Sequence, residues 1–409
     1  MKPRYYGWWI VLALAVTEPL SWGVQYYALT VFLRPMEQDL GWSRSEMTGA
    51  FSLALLISGC AAIPIGRWLD RHGTRLLMTA GSALATLLVL AWSQVDQLWA
   101  FYAIWAGLGL TMAATFYEPA FAAVAHWFTR TRSRALTLLT LGGALASPIF
   151  IPLTDQLVDR YGWRDALVIL ALLMGAVTIP LHALVLRRRP SDLGLRPDGE
   201  PVSADEPGTT PARLPVASST VREAIRGSAF WWLAAAFFLA MLATVATGIH
   251  LIPSLTDRGF DAGFAAVVTG ALGAMSFVGR IVFGPLSERL PREWTTALIF
   301  VLQVAGLLVL LASDSEAGVW LFVLLFGMGG AVTPARAALL ADFYGPAEYG
   351  AISGVMAFLL TLARAIAPLG ASLLHDAAGG YDAVFAALAV FCALAAVAVV
   401  IADRRVPHA

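Results

Sequence analysis

Charge is scarce in this chain. Asp, Glu, Lys and Arg make up 13% of its 409 residues, where a soluble globular protein carries about 25%. Lysine is all but missing: Lys2 is the single one. Cysteine is limited to Cys60 and Cys392. Both sit inside long apolar runs, which suggests two space-filling side chains and no disulfide framework. No GxxxxGK[ST] stretch is present to cradle a nucleotide phosphate, which excludes an ATP-driven pump built from this chain alone. No HExxH and no paired CxxC occurs, so nothing in the sequence asks for a metal or another cofactor. Arginines fall in short loops between apolar runs and form no basic stripe, which argues against a nucleic-acid partner. The formal net charge is zero and names no partner either.

What the chain does contain is apolar. Hydrophobic residues make up 59%, and the mean hydropathy is +0.73. Runs of about 18 or more apolar residues point to membrane spans. The pattern predicts twelve of them, over 6–32, 45–69, 74–93, 98–127, 133–158, 165–186, 228–256, 263–288, 294–312, 318–344, 349–374 and 382–402. Lipid offers the backbone no hydrogen bonds, so each span is expected to be a helix. None alternates as a barrel strand would. The first is too long for a signal-peptide core and is read as helix one. Most of the 27 Lys and Arg residues fall on one side of the membrane, and Arg34, Arg44, Arg160, Arg164 and Arg258 on the other. That bias places both termini in the cytoplasm of a multi-pass protein of the cell (inner) membrane.

The chain also repeats itself. After helix six come Arg187–Arg189 and a polar stretch including SADEPGTTPARLPVASS, a linker composition that splits the spans six and six. The expected division is a first half over 1–187, a cytoplasmic linker over 188–226 and a second half over 227–409. GRWLDRHGTR follows helix two and GPLSERLPRE follows helix eight, aligning Asp70 with Glu288. Pro119 and Pro334, Pro148 and Pro368, and Trp163 and Tyr381 recur at nearly the same offset. Two similar six-helix halves are the architecture of rocker-switch transporters, which bind their cargo between the halves.

With these features the sequence resembles the major facilitator superfamily over nearly its whole length. Gly66, Asp70, Arg71, Gly73 and Arg75 match its signature loop between helices two and three, which the resemblance makes a cytoplasmic gate; an anchoring loop is the plainer alternative. Within the superfamily the chain is most similar to monocarboxylate transporters and their bacterial lactate–proton symporter relatives. YYGWWIVLA, TVFLRPMEQDLGWSRSE, GLGLTMAATFYEPA, RSRALTLLTLGGALASP, YGWRDA and GIHLIPSLTDRG carry that likeness. It also departs from them. Ser276 stands where animal members have an aspartate four residues before the helix-eight arginine. Tyr27 stands where they have a lysine. The helix-eleven lysine of the related oxalate–formate exchangers has no counterpart. The resemblance implies an all-α membrane fold of twelve helices in two pseudo-symmetric halves and a non-enzymatic carrier. Its partners would be the bilayer, a small monocarboxylate of the lactate or pyruvate type and a proton. No obligate protein partner is evident.

Ionisable residues at mid-membrane are costly and usually face a cavity or each other. Glu18 and Glu118 lie in the first half, and His250, Arg280, Arg336 and Arg364 in the second. Helices three, nine and twelve carry no such residue away from their ends, and helix six only His182. That fits helices that face lipid. At about 1.5 Å per residue, Glu18 and Arg364 come near mid-span. Glu118, Arg280 and Arg336 share a level nearer the cytoplasm. Acids in one half and arginines in the other suggest halves that attract when empty and an anion that competes for the arginines.

Arg280 is the expected carboxylate ligand, because its planar guanidinium fits a carboxylate bidentately. Gly273, Ser276 and Gly284 leave room on its face. Pairing with Glu118 is the plainer role. Arg364 follows Gly354, Ala357 and Thr361 on one small-residue stripe. It is either a second anion contact, which would suit a dicarboxylate, or a partner of Glu18. Arg336 is expected to gate or to snorkel toward the membrane surface. For proton coupling, His250 has the right ordinary range, in a helix that Pro253 should break and Gly248 loosen. Asp257 lies farther out and would need such a bend to reach Arg280. Glu18 and Glu118 are the alternatives. Tyr26, Tyr27, Tyr117 and Cys60 are candidate cavity-lining residues. The rival readings are an anion exchanger or dicarboxylate carrier of the same fold, a drug or sugar carrier, and a non-transporting membrane enzyme or sensor.

Overall fold

The computed structural model describes residues 5–199 and 219–405; most of the expected linker, 200–218, lies outside the described residues. Every described transmembrane segment is helical. The elements are α1 (Gly7–Trp22), α2 (Leu29–Leu40), α3 (Arg44–His72), α4 (Thr74–Ser93), α5 (Leu98–Thr115), α6 (Tyr117–Trp127), α7 (Arg132–Ala144) and α8 (Ala146–Val185). After a short α9 (Val221–Arg226) come α10 (Ser228–Asp257), α11 (Ala262–Arg289), α12 (Arg292–Ala312), α13 (Glu316–Gly327), α14 (Val332–Tyr344), α15 (Tyr349–Ala378) and α16 (Tyr381–Arg404).

Eleven stretches are long and apolar enough to cross a membrane. One of them, Arg132–Val185, has 54 residues, about 80 Å of helix at 1.5 Å per residue, more than twice a bilayer core. It is two spans. Gly162 breaks it with φ 80° and ψ 166°, a conformation that only glycine adopts without strain. The count is therefore twelve.

Four expected spans are interrupted, one of them only at Leu145, between α7 and α8. A π-helical turn, Gly23–Tyr27, joins α1 to α2. Phe116, extended at φ −85° and ψ −163°, separates α5 from α6. A 3-10 turn, Met328–Ala331, separates α13 from α14. One expected break is absent: α10 runs unbroken through Pro253 to Asp257. Only one turn follows the proline, and the Thr256 hydroxyl bonds the Ile252 and Pro253 carbonyls at 3.1 and 2.8 Å. Pro253 withholds the N–H that would bond the Ile249 carbonyl, yet α10 continues past it for one more turn.

The chain forms two compact units, Met1–Ser218 with Gly345–Phe358, and Ser219–Tyr344 with Leu359–Ala409. In the first, α1 packs on α7, α3 on α5 and α4 on α8, around fully buried Trp92, Trp105, Phe101 and Phe32. Trp92 and Trp105 meet edge to face at 5.0 Å, a favoured aromatic geometry. In the second, α10 and α12 pack on α16, around Phe322, Phe385 and Cys392. Large exposed side chains line α4 (Leu76, Leu84, Leu87), the end of α8 (Leu172, Leu184), α12 (Leu298, Val301, Leu308) and α16 (Val390, Leu394, Val397). These are the third, sixth, ninth and twelfth spans; α11 (Val267, Ile281, Val282) and α15 (Ile366, Leu369, Leu373) also carry large exposed side chains.

Candidate functional site

In the first unit, the interruptions of the helices build the polar site. Glu18 of α1 is fully buried. Its Oε2 accepts the Trp22 indole N–H at 3.0 Å, an i,i+4 contact. Its Oε1 is buried with no hydrogen-bond partner, and no cation lies within ion-pair distance among the described residues. Trp22 stacks on Phe116 at 4.0 Å and leans on Tyr26 and Tyr117 at 5.3 and 5.4 Å. Tyr26 meets Tyr27 edge to face at 5.0 Å. The π-turn and the break at Phe116 bring these rings together, covering Glu18 with an aromatic wall.

Gln25, inside the π-turn, is clamped between Thr115 and Thr111 at 3.2 and 2.7 Å. This tie fixes α1 to α5. Tyr117 stacks in parallel on Phe121 at 5.2 Å and lies against Gly143, where a Cβ would strike its hydroxyl. Glu118, half-buried, accepts the Ser353 hydroxyl through Oε2.

The signature loop is also engaged. Asp70 accepts the backbone N–H groups of Gly350 and Ala351 at 2.7 and 2.9 Å. Gly66 faces the Gly350 carbonyl so closely that any side chain would overlap it. Arg75 donates its Nε–H to the Ala183 carbonyl at 2.7 Å, and the Arg71 carbonyl accepts from Arg188. Two sequence expectations need correction here. Cys60 is exposed, so it fills no core space; Cys392 does. His182 is fully buried, with Nδ1 on Ser82 and Nε2 on Thr17, both at 2.9 Å. It therefore ties three helices together from inside and does not face lipid.

In the second unit, Arg280 is half-buried on α11 and its Nε donates to the Gly330 carbonyl at 3.1 Å. Gly330 lies directly against Ser276, and Gly279 against the Met328 carbonyl. The 3-10 turn thus lies flush on α11 and sets the plane of the guanidinium. Arg336 is 6% exposed, so its side chain is buried and does not snorkel. Arg364 is exposed.

His250 is buried between two fixed partners. Its Nε2 lies 3.2 Å from the Pro368 carbonyl and its Nδ1 3.4 Å from the Tyr381 hydroxyl. A carbonyl only accepts, so Nε2 carries the proton in the neutral ring and Nδ1 accepts from tyrosine. The Tyr381 ring also meets His375 at 4.3 Å, and Asp257 lies within electrostatic reach of its hydroxyl. Asp257 itself is exposed at the end of α10 and makes no ion pair with Arg280 or any other described residue. The unbroken α10 accounts for this.

Trp22, Gln25, Phe116, Ser353 and Tyr381 were not singled out as site residues by sequence. Trp22 was legible as the i+4 neighbour of Glu18, and Tyr381 as the repeat-mate of Trp163. The others depend on the π-turn, the break at Phe116 and the long-range approach of α15, none of which has a local signal.

The comparisons agree on one family. The family model of the Major Facilitator Superfamily matches residues 20–332 and 256–409. The uncharacterized MFS-type transporter YcxA of Bacillus subtilis (strain 168) is 24% identical, covering 95% of this chain and 93% of that protein. Monocarboxylate transporter 13 of Bos taurus is 25% identical, covering 94% and 87%. Monocarboxylate transporter 11 of Homo sapiens is 28% identical, covering 93% and 79%. Among solved structures, the fucose:proton symporter FucP of E. coli superposes with a TM-score of 0.74 at 16% identity, covering 98% of this chain and 99% of that one. A bacterial homologue of the iron transporter ferroportin, in an outward-facing state, gives 0.74 at 15%, covering 98% and 100%.

Proposed function

Because the chain belongs to the major facilitator superfamily, and is a membrane transporter and not an enzyme, we propose that it carries a small monocarboxylate together with a proton by alternating access. The observation that carries the reading is the setting of Arg280. Its guanidinium is held by the Gly330 carbonyl beside the small residue Ser276. Its fork matches a carboxylate in a way no lysine would. The class of cargo is supported by the names of the cattle and human relatives, both monocarboxylate transporters. Tyr27, Tyr117 and Cys60 complete the substrate-contact proposal, and Arg364 offers a second cation, the feature that would suit exchange or a dicarboxylate.

Proton coupling is assigned first to Glu18. A carboxyl buried beside one indole donor and no cation is costly to keep charged. It can take a proton in one state of the cycle and release it when water reaches it. His250 is the second carrier. Protonating Nδ1 turns it from an acceptor into a donor toward Tyr381, so charge and hydrogen-bond direction change together. Asp257 and Glu118 stand behind these two. Asp70, Gly66, Arg71 and Arg75 form the gate at the start of α15, with Arg336 supporting it. The arginine bias of the loops supports a cytoplasmic-membrane protein with both ends inside.

Uptake of a panel of radiolabelled acids into liposomes tests this. Lactate or pyruvate is expected to accumulate when an inward proton gradient is imposed and not without it. Uptake only against a preloaded counter-anion, or uptake confined to dicarboxylates, contradicts it.

A further inference from the structure

A cavity of about 330 Å³ opens where the last turn of α8 meets the first turns of α4. His72, Arg75, Arg187 and Arg188 line it, with Asp192 as the only acid. Three arginines against one aspartate leave a surplus of positive charge in a small space.

Each basic side chain is anchored by a backbone carbonyl. Arg75 bonds Ala183 through Nε at 2.7 Å, Arg187 bonds Leu186 through one terminal nitrogen at 3.0 Å, and Arg188 bonds Arg71. His72 uses Nδ1 on the Trp68 carbonyl at 3.0 Å and stacks on that indole at 4.6 Å. Among the described residues none of the three arginines forms an ion pair, and the carboxylate of Asp192 is taken by the Arg189 backbone N–H at 3.1 Å. Both terminal nitrogens of Arg75 therefore keep their donors available. A fixed guanidinium with unpartnered donors is a receptor for a phosphate or carboxylate.

The floor of the cavity decides between kinds of anion. Leu76 and Thr79, one turn apart on α4, line it. Leu76 is 61% exposed, and Leu184 beside Ala183 is 66% exposed. A charged pocket lined by the exposed Leu76, with the exposed Leu184 next to its lining residue Ala183, suits a ligand with an anionic head and an apolar tail. We propose that this pocket binds an anionic phospholipid. Its phosphate accepts from Arg75 and Arg187, with Arg188 and His72 at the rim, and its acyl chain lies over Leu76 and Leu184. Arg75 thereby joins the signature loop to the end of α8 through a bound lipid as well as through Ala183. This site stands whatever the cargo is.

The test uses the purified full-length protein in detergent. The thermal midpoint is followed while dioctanoyl phosphatidylglycerol, dioctanoyl phosphatidylcholine or inorganic phosphate is added. The phosphatidylglycerol is expected to raise the midpoint and the phosphatidylcholine to leave it unchanged. In Arg187→Gln/Arg188→Gln the half-saturating phosphatidylglycerol concentration should rise about 25-fold, near fivefold per arginine. In Arg187→Lys/Arg188→Lys it should rise less than about fivefold. Should the double glutamine variant not fold, Arg187→Gln alone is expected to show the fivefold shift. Equal stabilisation by phosphatidylcholine, an unchanged half-saturation in the glutamine variant, or full reproduction of the effect by inorganic phosphate would each overturn the lipid assignment. The last would make the pocket a site for a soluble anion.

Discussion

Asp70, at the end of α3, caps the first turn of α15 by accepting the N–H groups of Gly350 and Ala351 at 2.7 and 2.9 Å. A helix start has such N–H groups without intrahelical partners, and here a residue almost three hundred positions earlier supplies the acceptor. The signature loop thereby reads the position of α15. Asp70→Ala should cost about 1 kcal/mol of cap energy and slow uptake at least tenfold at equal amounts in the membrane. Gly66→Ala, whose Cβ would overlap the Gly350 carbonyl, should do the same. Normal rates in both variants would remove the gate from the account.

Glu18→Gln keeps the shape of the side chain and an acceptor for Trp22, but it cannot carry a proton. Gradient-driven accumulation should be lost, while exchange of labelled for unlabelled acid across the membrane continues. Counterflow and gradient-driven uptake measured on the same liposomes separate these. Retention of proton-driven accumulation would transfer the coupling to His250.

Tyr381→Phe removes the hydroxyl bonded to His250 Nδ1 and leaves its bond to the Pro368 carbonyl. The pH at which uptake is half-maximal should move, with little change in protein folding. His250→Gln should flatten that part of the profile. A profile unchanged in both variants would make His250 a packing residue.

Asp198 offers a pH test outside the membrane spans. Burial pulls its carboxyl upward, but hydrogen bonds from the Thr129 hydroxyl, the Arg130 and Thr129 backbone and the Thr131 hydroxyl outweigh it and hold it below its usual range. A carboxylate lowered on folding stabilises fully above its unfolded value of about 3.9 and loses that contribution as pH falls through the folded value. Asp198→Asn should lower the thermal midpoint at pH 7, and the gap from the unaltered protein should close below about pH 4. A gap constant between pH 7 and pH 3 would contradict this.

The twelve spans and the ionisable residues inside them were legible because hydropathy and the cost of buried charge are properties of composition along the chain. What was not legible depends on where helices stop being regular. Nothing local in GVQYY announces a π-turn, so Gln25 gave no sign of its role. Phe116 is an ordinary apolar residue whose backbone is extended and whose ring stacks on Trp22. Pro253 misled in the opposite direction: α10 continues through it to Asp257. Arg336 looked like a snorkelling arginine from its place near a helix end. Its burial reflects neighbours distant in sequence. Asp70 was recognisable as a signature residue, but the groups it binds were not.

The central claim is that Arg280 holds the carboxylate of a cargo that crosses with a proton. The most direct measurement is the external pH of a lightly buffered suspension of liposomes on addition of lactate, for the unaltered protein and for Arg280→Gln. The unaltered protein should alkalinise the medium, while Arg280→Gln, folded and inserted in equal amount, should give no change. Equal alkalinisation by both would contradict the account.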